Sequence, residues 1–254
     1  MPYVNNGDVR IHYAIEGDGP PVVLNHWSLG TLEGWRVNGF IDRLRADFTV
    51  IALDVRGHGK SDKPHDLAAY ALENRVGDIV AILDELDIDR AHFYGYSMGG
   101  WIGYGMAAHA PERLRSLAIG GAHPYEQSMA GLREVLATGV SDGAQAFIDL
   151  MRTTDPEWTK THASQWMDAD FAAQYAVAQD RSSQEAILST IECPCLILAG
   201  SEDGLCEDAE RATAQIANAR FVAIPGLDHG GALARSDLVA PILKEFLASV
   251  ESDG

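Results

Sequence analysis

Short continuous apolar runs alternate along this chain with stretches whose apolar residues recur every three or four positions. The runs at 21–24, 48–53, 90–96, 114–119, 195–199 and 220–224 predict buried strands. Two further strands, 3–4 and 10–15, are expected to be joined by the turn Asn5-Asn6-Gly7-Asp8. Between 72 and 86 the residues Val76, Ile79, Val80, Leu83 and Leu86 have the spacing of an amphipathic helix. Other helices are expected at about 35–45, 101–110, 208–217 and 233–250. Apolar strands alternating with helices predict an α/β fold: a mostly parallel sheet covered on both faces.

The pattern changes over 124–191. No strand is expected there, and Met129, Leu132 and Leu136, then Phe147, Leu150 and Met151, recur at helical spacing. The expected organisation is a sheet domain built from 1–123 and 192–254, with a helical lid inserted at 124–191. Its apolar side chains Tyr125, Met129, Phe147, Met151, Trp158, Trp166, Met167, Phe171 and Tyr175 divide between packing and pocket. Neither internal repeat nor low-complexity linker interrupts the chain.

Composition narrows the partners. The chain has 254 residues, 46% hydrophobic and 22% charged, with a formal net charge of −18. An acidic surface repels nucleic acid and anionic membranes, so neither is an expected partner. No apolar run reaches the roughly 20 residues of a membrane span. The amino terminus lacks the basic start and apolar centre of a signal peptide, so a cytoplasmic location is expected. Cys193, Cys195 and Cys206 are too few for a disulfide framework, and Cys193-Pro-Cys195 is too closely spaced for a redox pair. They read as small buried hydrophobes.

The chemistry centres on Gly95-Tyr96-Ser97-Met98-Gly99, a G-x-S-x-G pattern between an expected strand and an expected helix. A serine on such a sharp turn has strained backbone angles, and glycine two residues to either side leaves room for them. A glycine-rich turn with a capping serine would carry the same letters, but rarely in that context. Ser97 is therefore the candidate nucleophile, and active sites of such sheets lie beyond the carboxyl ends of the strands.

A serine needs a base oriented by a third group. His229, in Gly226-Leu227-Asp228-His229-Gly230-Gly231 after the last strand, is the expected base; capping the next helix is its alternative role. His109 and His162 fall in helical patterns. His123 follows the strand 114–119 and is a pocket candidate. Asp203, directly after the strand 195–199, is the expected acid, ahead of its neighbour Glu202 and of Asp228, which abuts His229. The end of strand 114–119, Gly120-Gly121-Ala122, offers no carboxylate. For the oxyanion hole, one backbone donor is expected from Met98 and the other from Ser28, or else Trp27. His26 is expected to brace that loop at the pocket edge, with Tyr125, Trp158 and Trp166 as further pocket candidates.

Together the elbow Gly95-Tyr96-Ser97-Met98-Gly99-Gly100, the loop Asp54-Val55-Arg56-Gly57-His58-Gly59-Lys60-Ser61-Asp62, Asp203 and Asp228-His229-Gly230 resemble the α/β-hydrolase superfamily. The resemblance spans the chain outside the lid. It implies a doubly wound sheet of about eight strands and a Ser-Asp-His triad. Ser28-Leu29-Gly30-Thr31 with Trp35 resembles the oxyanion segment of 3-oxoadipate enol-lactonases. Two positions depart from the common pattern. Trp27 follows His26 where many relatives carry glycine, so the indole is expected to narrow the pocket. Glu207 stands where many have proline.

A serine nucleophile excludes the aspartate-dependent dehalogenase and epoxide hydrolase branches. Ester or lactone hydrolysis through an acyl-enzyme is the expected reaction, on a small or medium substrate and with no metal or organic cofactor. C–C bond hydrolysis and perhydrolysis on the same triad are the alternatives, and a slow-hydrolysing ligand receptor is a third. The fold alone does not choose among them.

Overall fold

A computed structural model describes residues 2–252. The strands are β1 (Tyr3–Asn6), β2 (Val9–Glu16), β3 (Pro21–Asn25), β4 (Thr49–Leu53), β5 (Ala91–Tyr96), β6 (Leu114–Gly120), β7 (Cys195–Gly200) and β8 (Ala219–Ile224). They form one sheet in the order β1-β2-β4-β3-β5-β6-β7-β8. The β1–β2 and β2–β4 pairs are antiparallel and the others parallel. Every residue of β5 and β7 is buried, as continuous apolar strands covered on both faces require.

The helices are α1 (Leu32–Val37), α2 (Phe40–Leu44), α3 (Leu72–Glu85), α4 (Met98–His109), α5 (Ala130–Asp142), α6 (Ala144–Thr154), α7 (Pro156–Trp166), α8 (Phe171–Val177), α9 (Cys206–Thr213), α10 (His229–Ala234) and α11 (Ser236–Ser252). Two clusters fill the two sides of the sheet. One joins Ile79 and Ile82 of α3, Ile102 of α4 and Ala209 of α9 to Phe93 and Leu117. The other joins Trp35, Phe40 and Leu44 to Tyr94, Leu196, Leu243 and Leu247. Each fully buried side chain of this kind contributes about 1.5–3 kcal/mol of hydrophobic free energy.

Two expected helices are divided. The stretch 35–45 is broken at Gly39, whose φ of 78° lies in the left-handed region. The stretch 233–250 falls into α10 and α11, separated by the non-helical Arg235 (φ −94°, ψ 58°). Helix α4 also starts three residues before the expected position, directly after Ser97.

Helices α5–α8 lie between β6 and β7 in sequence and bury their own cluster of Leu136, Phe147, Ile148, Trp166 and Phe171. They are tied to loops above the strand ends. Trp166 Nε1 donates to Leu29 O (3.1 Å) and Gln174 Nε2 to Gly57 O (2.6 Å). Strand register sets those loops side by side, because Leu24 of β3 pairs with Ala52 of β4, and it brings the end of β5 level with both neighbours, Asn25 pairing with Gly95 and Tyr96 with Gly120. Among the described residues, no helix is long and apolar enough to cross a membrane.

Burial of several histidines has a measurable consequence. Burial holds His26 and His162 below the ordinary imidazole range, and His58 well below it. It brings His92 down to about 4. These rings stay neutral in the fold yet take up a proton near pH 6.5 once the chain unfolds. Their stabilisation is therefore complete above that pH and is lost as the pH falls toward the folded values. Each adds a slope of up to about 1.4 kcal/mol per pH unit. Asp78, raised by burial against its partner Arg56, acts in the opposite direction. Urea midpoints should fall steadily from pH 6.5 to 4; a flat profile across that window would contradict the account.

Candidate active site

Strand β5 ends at Tyr96 and helix α4 begins at Met98, so Ser97 alone makes the turn. Its φ of 54° and ψ of −109° are strained for a residue with a Cβ, at a cost of about 1–3 kcal/mol. Backbone bonds impose the geometry: Ser97 N–H donates to Gly120 O (2.8 Å), and Trp101 N–H donates to Ser97 O (3.0 Å). A Cβ on Gly95 would sit 2.1 Å from Gly99 O, and one on Gly99 would sit 2.0 Å from Asn25 O. The two glycines of the sequence motif therefore meet backbone, and no larger residue fits. Met98 opens α4, so its N–H belongs to the first turn and has no intrahelical acceptor.

Asp203 lies just beyond β7 and is buried. Its Oδ2 is 2.7 Å from His229 Nδ1, and its Oδ1 accepts from Leu205 N–H (2.9 Å). Burial pushes this carboxyl upward. The hydrogen bond and charge of His229, with the Leu205 N–H, outweigh that and hold it below the ordinary range. A carboxylate on Nδ1 assigns the imidazole proton to that nitrogen and leaves Nε2 as an acceptor.

Neighbouring residues hold His229 in place. Tyr96 O–H donates to His229 O (2.8 Å), and the two rings lie 5.5 Å apart. Asp228 caps α10 by accepting from Gly231 N–H (2.7 Å), so it serves its own helix rather than the His229 ring. A Cβ on Gly121 would come within 3.0 Å of His229 Cε1 and 2.9 Å of Tyr96 Cζ. The absence of a carboxylate after β6 thus has a steric cause: the imidazole and phenol pack there.

Ser97, Asp203 and His229 line one cleft of about 590 Å³ with Trp27, Ser28 and Trp158. Among the described residues, no hydrogen bond joins the Ser97 hydroxyl to the imidazole; such contacts commonly tighten only when a substrate binds. In the loop after β3, the Trp27 carbonyl accepts from His26 Nδ1 (2.8 Å) and from Gly30 N–H (3.0 Å). A trans peptide points its N–H opposite to its C=O, so these bonds also set the direction of the Ser28 N–H. Leu29, next in the chain, has a φ of 62°. The Trp27 indole packs edge-on to Trp35 (5.2 Å) and Trp158 (6.0 Å), and Trp158 stacks on His162 at 3.8 Å.

Four of the expected pocket residues lie elsewhere. His26 is fully buried beneath the loop, held between the Trp27 carbonyl and the Val55 N–H, and braces it without reaching the cleft. His123 turns away, its Nδ1 accepting from Tyr125 N–H (3.2 Å) and its Nε2 3.9 Å from Asp208. Tyr125 follows it, accepting from Gln215 Nε2 with the Arg211 guanidinium 3.9 Å above its ring. Trp166 is buried among the helices and borders a separate cavity of about 300 Å³ near His58 and Lys63.

Conversely, the cleft includes Tyr96, Gln127, Asp155 and Arg181, which sequence reasoning did not single out. Tyr96 occupies a variable letter of the elbow motif. Arg181 carries no sequence signal, since an isolated arginine between helices ordinarily reads as surface.

The alpha/beta hydrolase fold family model matches residues 20–155. The chain is 29% identical to 3-oxoadipate enol-lactonase 2 of Acinetobacter baylyi over 238 residues, 85% of this chain and 87% of the relative. An enol-lactonase structure from Burkholderia xenovorans LB400 superposes with a TM-score of 0.85 at 24% identity, covering 97% of this chain and all of that one. A carboxylesterase structure from Nitrososphaera gargenis covers both chains completely, with a TM-score of 0.87 at 20% identity. The elbow, the eight-stranded sheet and these likenesses agree, and the chain belongs to the α/β-hydrolase fold family.

Proposed function

We propose that this protein hydrolyses small or medium carboxylic esters or lactones through an acyl-enzyme on Ser97. One observation carries the reading most: the buried Asp203 carboxylate 2.7 Å from His229 Nδ1, in the same cleft as the strained elbow serine. The sequence relationship to an enol-lactonase over most of both chains supports an acyl substrate. A cleft of about 590 Å³ suits a small molecule. The helices between β6 and β7 act in this reading as a lid, with Trp158, Met129 and Leu132 facing the substrate.

Ser97 Oγ attacks the carbonyl carbon as its proton passes to His229 Nε2, and Asp203 stabilises the imidazolium. The Met98 and Ser28 N–H groups hold the oxyanion. The C–O bond to the leaving alcohol then breaks, and His229 returns the proton to that oxygen. For a lactone, the freed hydroxyl stays attached to the acyl chain. Water, deprotonated by His229, attacks the acyl-enzyme and releases the acid with free Ser97.

A panel of p-nitrophenyl esters and simple lactones of graded acyl length tests the reading. Turnover should depend on Ser97 and decline for long chains. Activity confined to dienone acids, or peroxide-dependent halogenation exceeding ester hydrolysis, would replace it with C–C hydrolysis or perhydrolysis. Ligand binding with no acyl burst on any activated ester would favour a receptor.

Asp203→Asn should preserve the fold and lower kcat by about 10⁴-fold, because the amide no longer selects the Nδ1–H tautomer. Since Asp203 is held below the ordinary carboxylate range, its protonation should leave the pH–rate profile unaffected through the neutral range. An Asp203→Asn variant within tenfold of the parent would remove this residue from its role.

A further inference from the structure

Tyr96 fills the letter of the elbow that the G-x-S-x-G pattern leaves free, one residue before Ser97. Its side chain is fully buried and reaches across the end of β6 to the first residue of α10. Two glycines of the next strand end make room for it. A Cβ on Gly120 would sit 2.5 Å from Tyr96 Cδ2, and one on Gly121 would sit 2.9 Å from its Cζ. Beyond them the phenol O–H donates to His229 O (2.8 Å). Burial, with Tyr94, Asp203 and Asp228 as secondary causes, holds this hydroxyl well above the ordinary phenol range, so it remains a donor at neutral pH. Tyr94 supplies the contrast. It is equally buried and two residues earlier on the same strand, yet among the described residues its hydroxyl has no partner.

The backbone of Tyr96 thus leads into Ser97 while its side chain ends on His229. The serine end is rigid, because Tyr96 pairs with Gly120 of β6 and Ser97 N–H donates to Gly120 O (2.8 Å). The histidine end has less support. His229 opens a helix of only six residues, and its side chain is 42% exposed. Asp203 holds Nδ1 and so fixes the tautomer. The distance from Nε2 to Ser97 also depends on where the His229 backbone sits, and the Tyr96 hydrogen bond ties that backbone to the elbow strand.

We infer that Tyr96 is a positioning residue, which sets the separation of Ser97 Oγ and His229 Nε2 by joining nucleophile and base through one side chain. This rests on the serine-hydrolase reading of the same cleft. A misplacement of about 1 Å between reacting groups can cost about 10²-fold in rate, so a single hydrogen bond at this point has a large kinetic effect.

Tyr96→Phe removes the hydroxyl and keeps the ring, and Tyr94→Phe is its matched control. On p-nitrophenyl butyrate, Tyr96→Phe should lower kcat by about 10- to 100-fold with KM within about twofold. Tyr94→Phe should stay within about twofold of the parent in both. A fluorophosphonate, which needs the same base-assisted attack by Ser97, should inactivate Tyr96→Phe more slowly by a similar factor. A purely structural role would lower Tm and leave these rates unchanged well below it. Hydrogen exchange of the backbone amides of 229–235 reads the contact without turnover: it should quicken in Tyr96→Phe and not in Tyr94→Phe. Rates for Tyr96→Phe within twofold of the parent, or an equal loss in Tyr94→Phe, would overturn the positioning role and leave the hydrolase reading intact. Exchange unchanged by Tyr96→Phe would overturn the tie between Tyr96 and the His229 backbone. A parent without Ser97-dependent turnover would instead reject the hydrolase reading and, with it, the positioning role.

Discussion

Replacing Ser97 with alanine is expected to lower ester hydrolysis by at least about 10³-fold, and by up to about 10⁶-fold if nucleophilic attack limits the parent. The loss should fall on kcat. Substrate contacts in the cleft are unaltered, so the residual KM should stay within a few-fold. Alanine also lowers the side-chain cost of the left-handed turn (φ 54°) only slightly, because Cβ remains. The variant should therefore unfold at nearly the parent temperature, separating lost chemistry from lost structure. Residual activity above about one tenth of the parent would show that another group attacks the carbonyl. Steady-state kinetics on p-nitrophenyl butyrate, with a thermal melt of the same preparation, reads both quantities.

The second large effect concerns the fold itself. Gly99→Ala would place a methyl 2.0 Å from Asn25 O, 2.6 Å from Asn25 C and 2.8 Å from His26 O. All three obstructing atoms are backbone, so no rotamer change relieves the clash. Helix α4 would have to withdraw from the end of β3, carrying with it the elbow and the loop that orients Ser28. A destabilisation of about 4 kcal/mol or more is expected, within the range reserved for a named steric failure. At about 2–4 °C per kcal/mol for a chain of this size, the melting point should drop by at least about 8 °C. Against a total stability of about 5–15 kcal/mol, much of the variant should be recovered as aggregate. Gly131→Ala is the matched control. It lies in α5 with nothing within 4 Å of the added methyl and should be neutral or stabilising by up to about 1 kcal/mol. Equal melting points for the two variants would contradict the close approach at the elbow.

Much of this architecture is legible in the residues because local and global demands coincide. Continuous apolar runs mark β3 to β7, since each is covered on both faces, whereas β8 lies at the sheet edge and only Ile224 in it is buried. Gly95 and Gly99 mark the elbow because only backbone fits beside them. The proximity of Asp203 and His229 follows from chain order: both lie just past neighbouring parallel strands, whose carboxyl ends are level. Other features depend on the tertiary arrangement. Trp166 and Trp158 sit on the same helix, α7, yet one turns into the cluster of α5–α8 while the other reaches the cleft. Helical periodicity reports a buried face but not what that face is buried against. His123 and Tyr125 follow β6 closely in sequence, but the chain bends so that they meet Asp208, Arg211 and Gln215 of the α9 region.

The central claim is a covalent acyl intermediate on Ser97, and rapid mixing of the parent with excess p-nitrophenyl acetate tests it most directly when intact-mass spectrometry follows the quench. The account predicts a burst of about one nitrophenolate per active chain ahead of the steady state. It also predicts a single acetyl adduct that maps to the peptide containing Ser97 and is absent from Ser97→Ala. Steady turnover accompanied by no acetyl adduct under any quench, or an adduct on another residue that persists in Ser97→Ala, would contradict it.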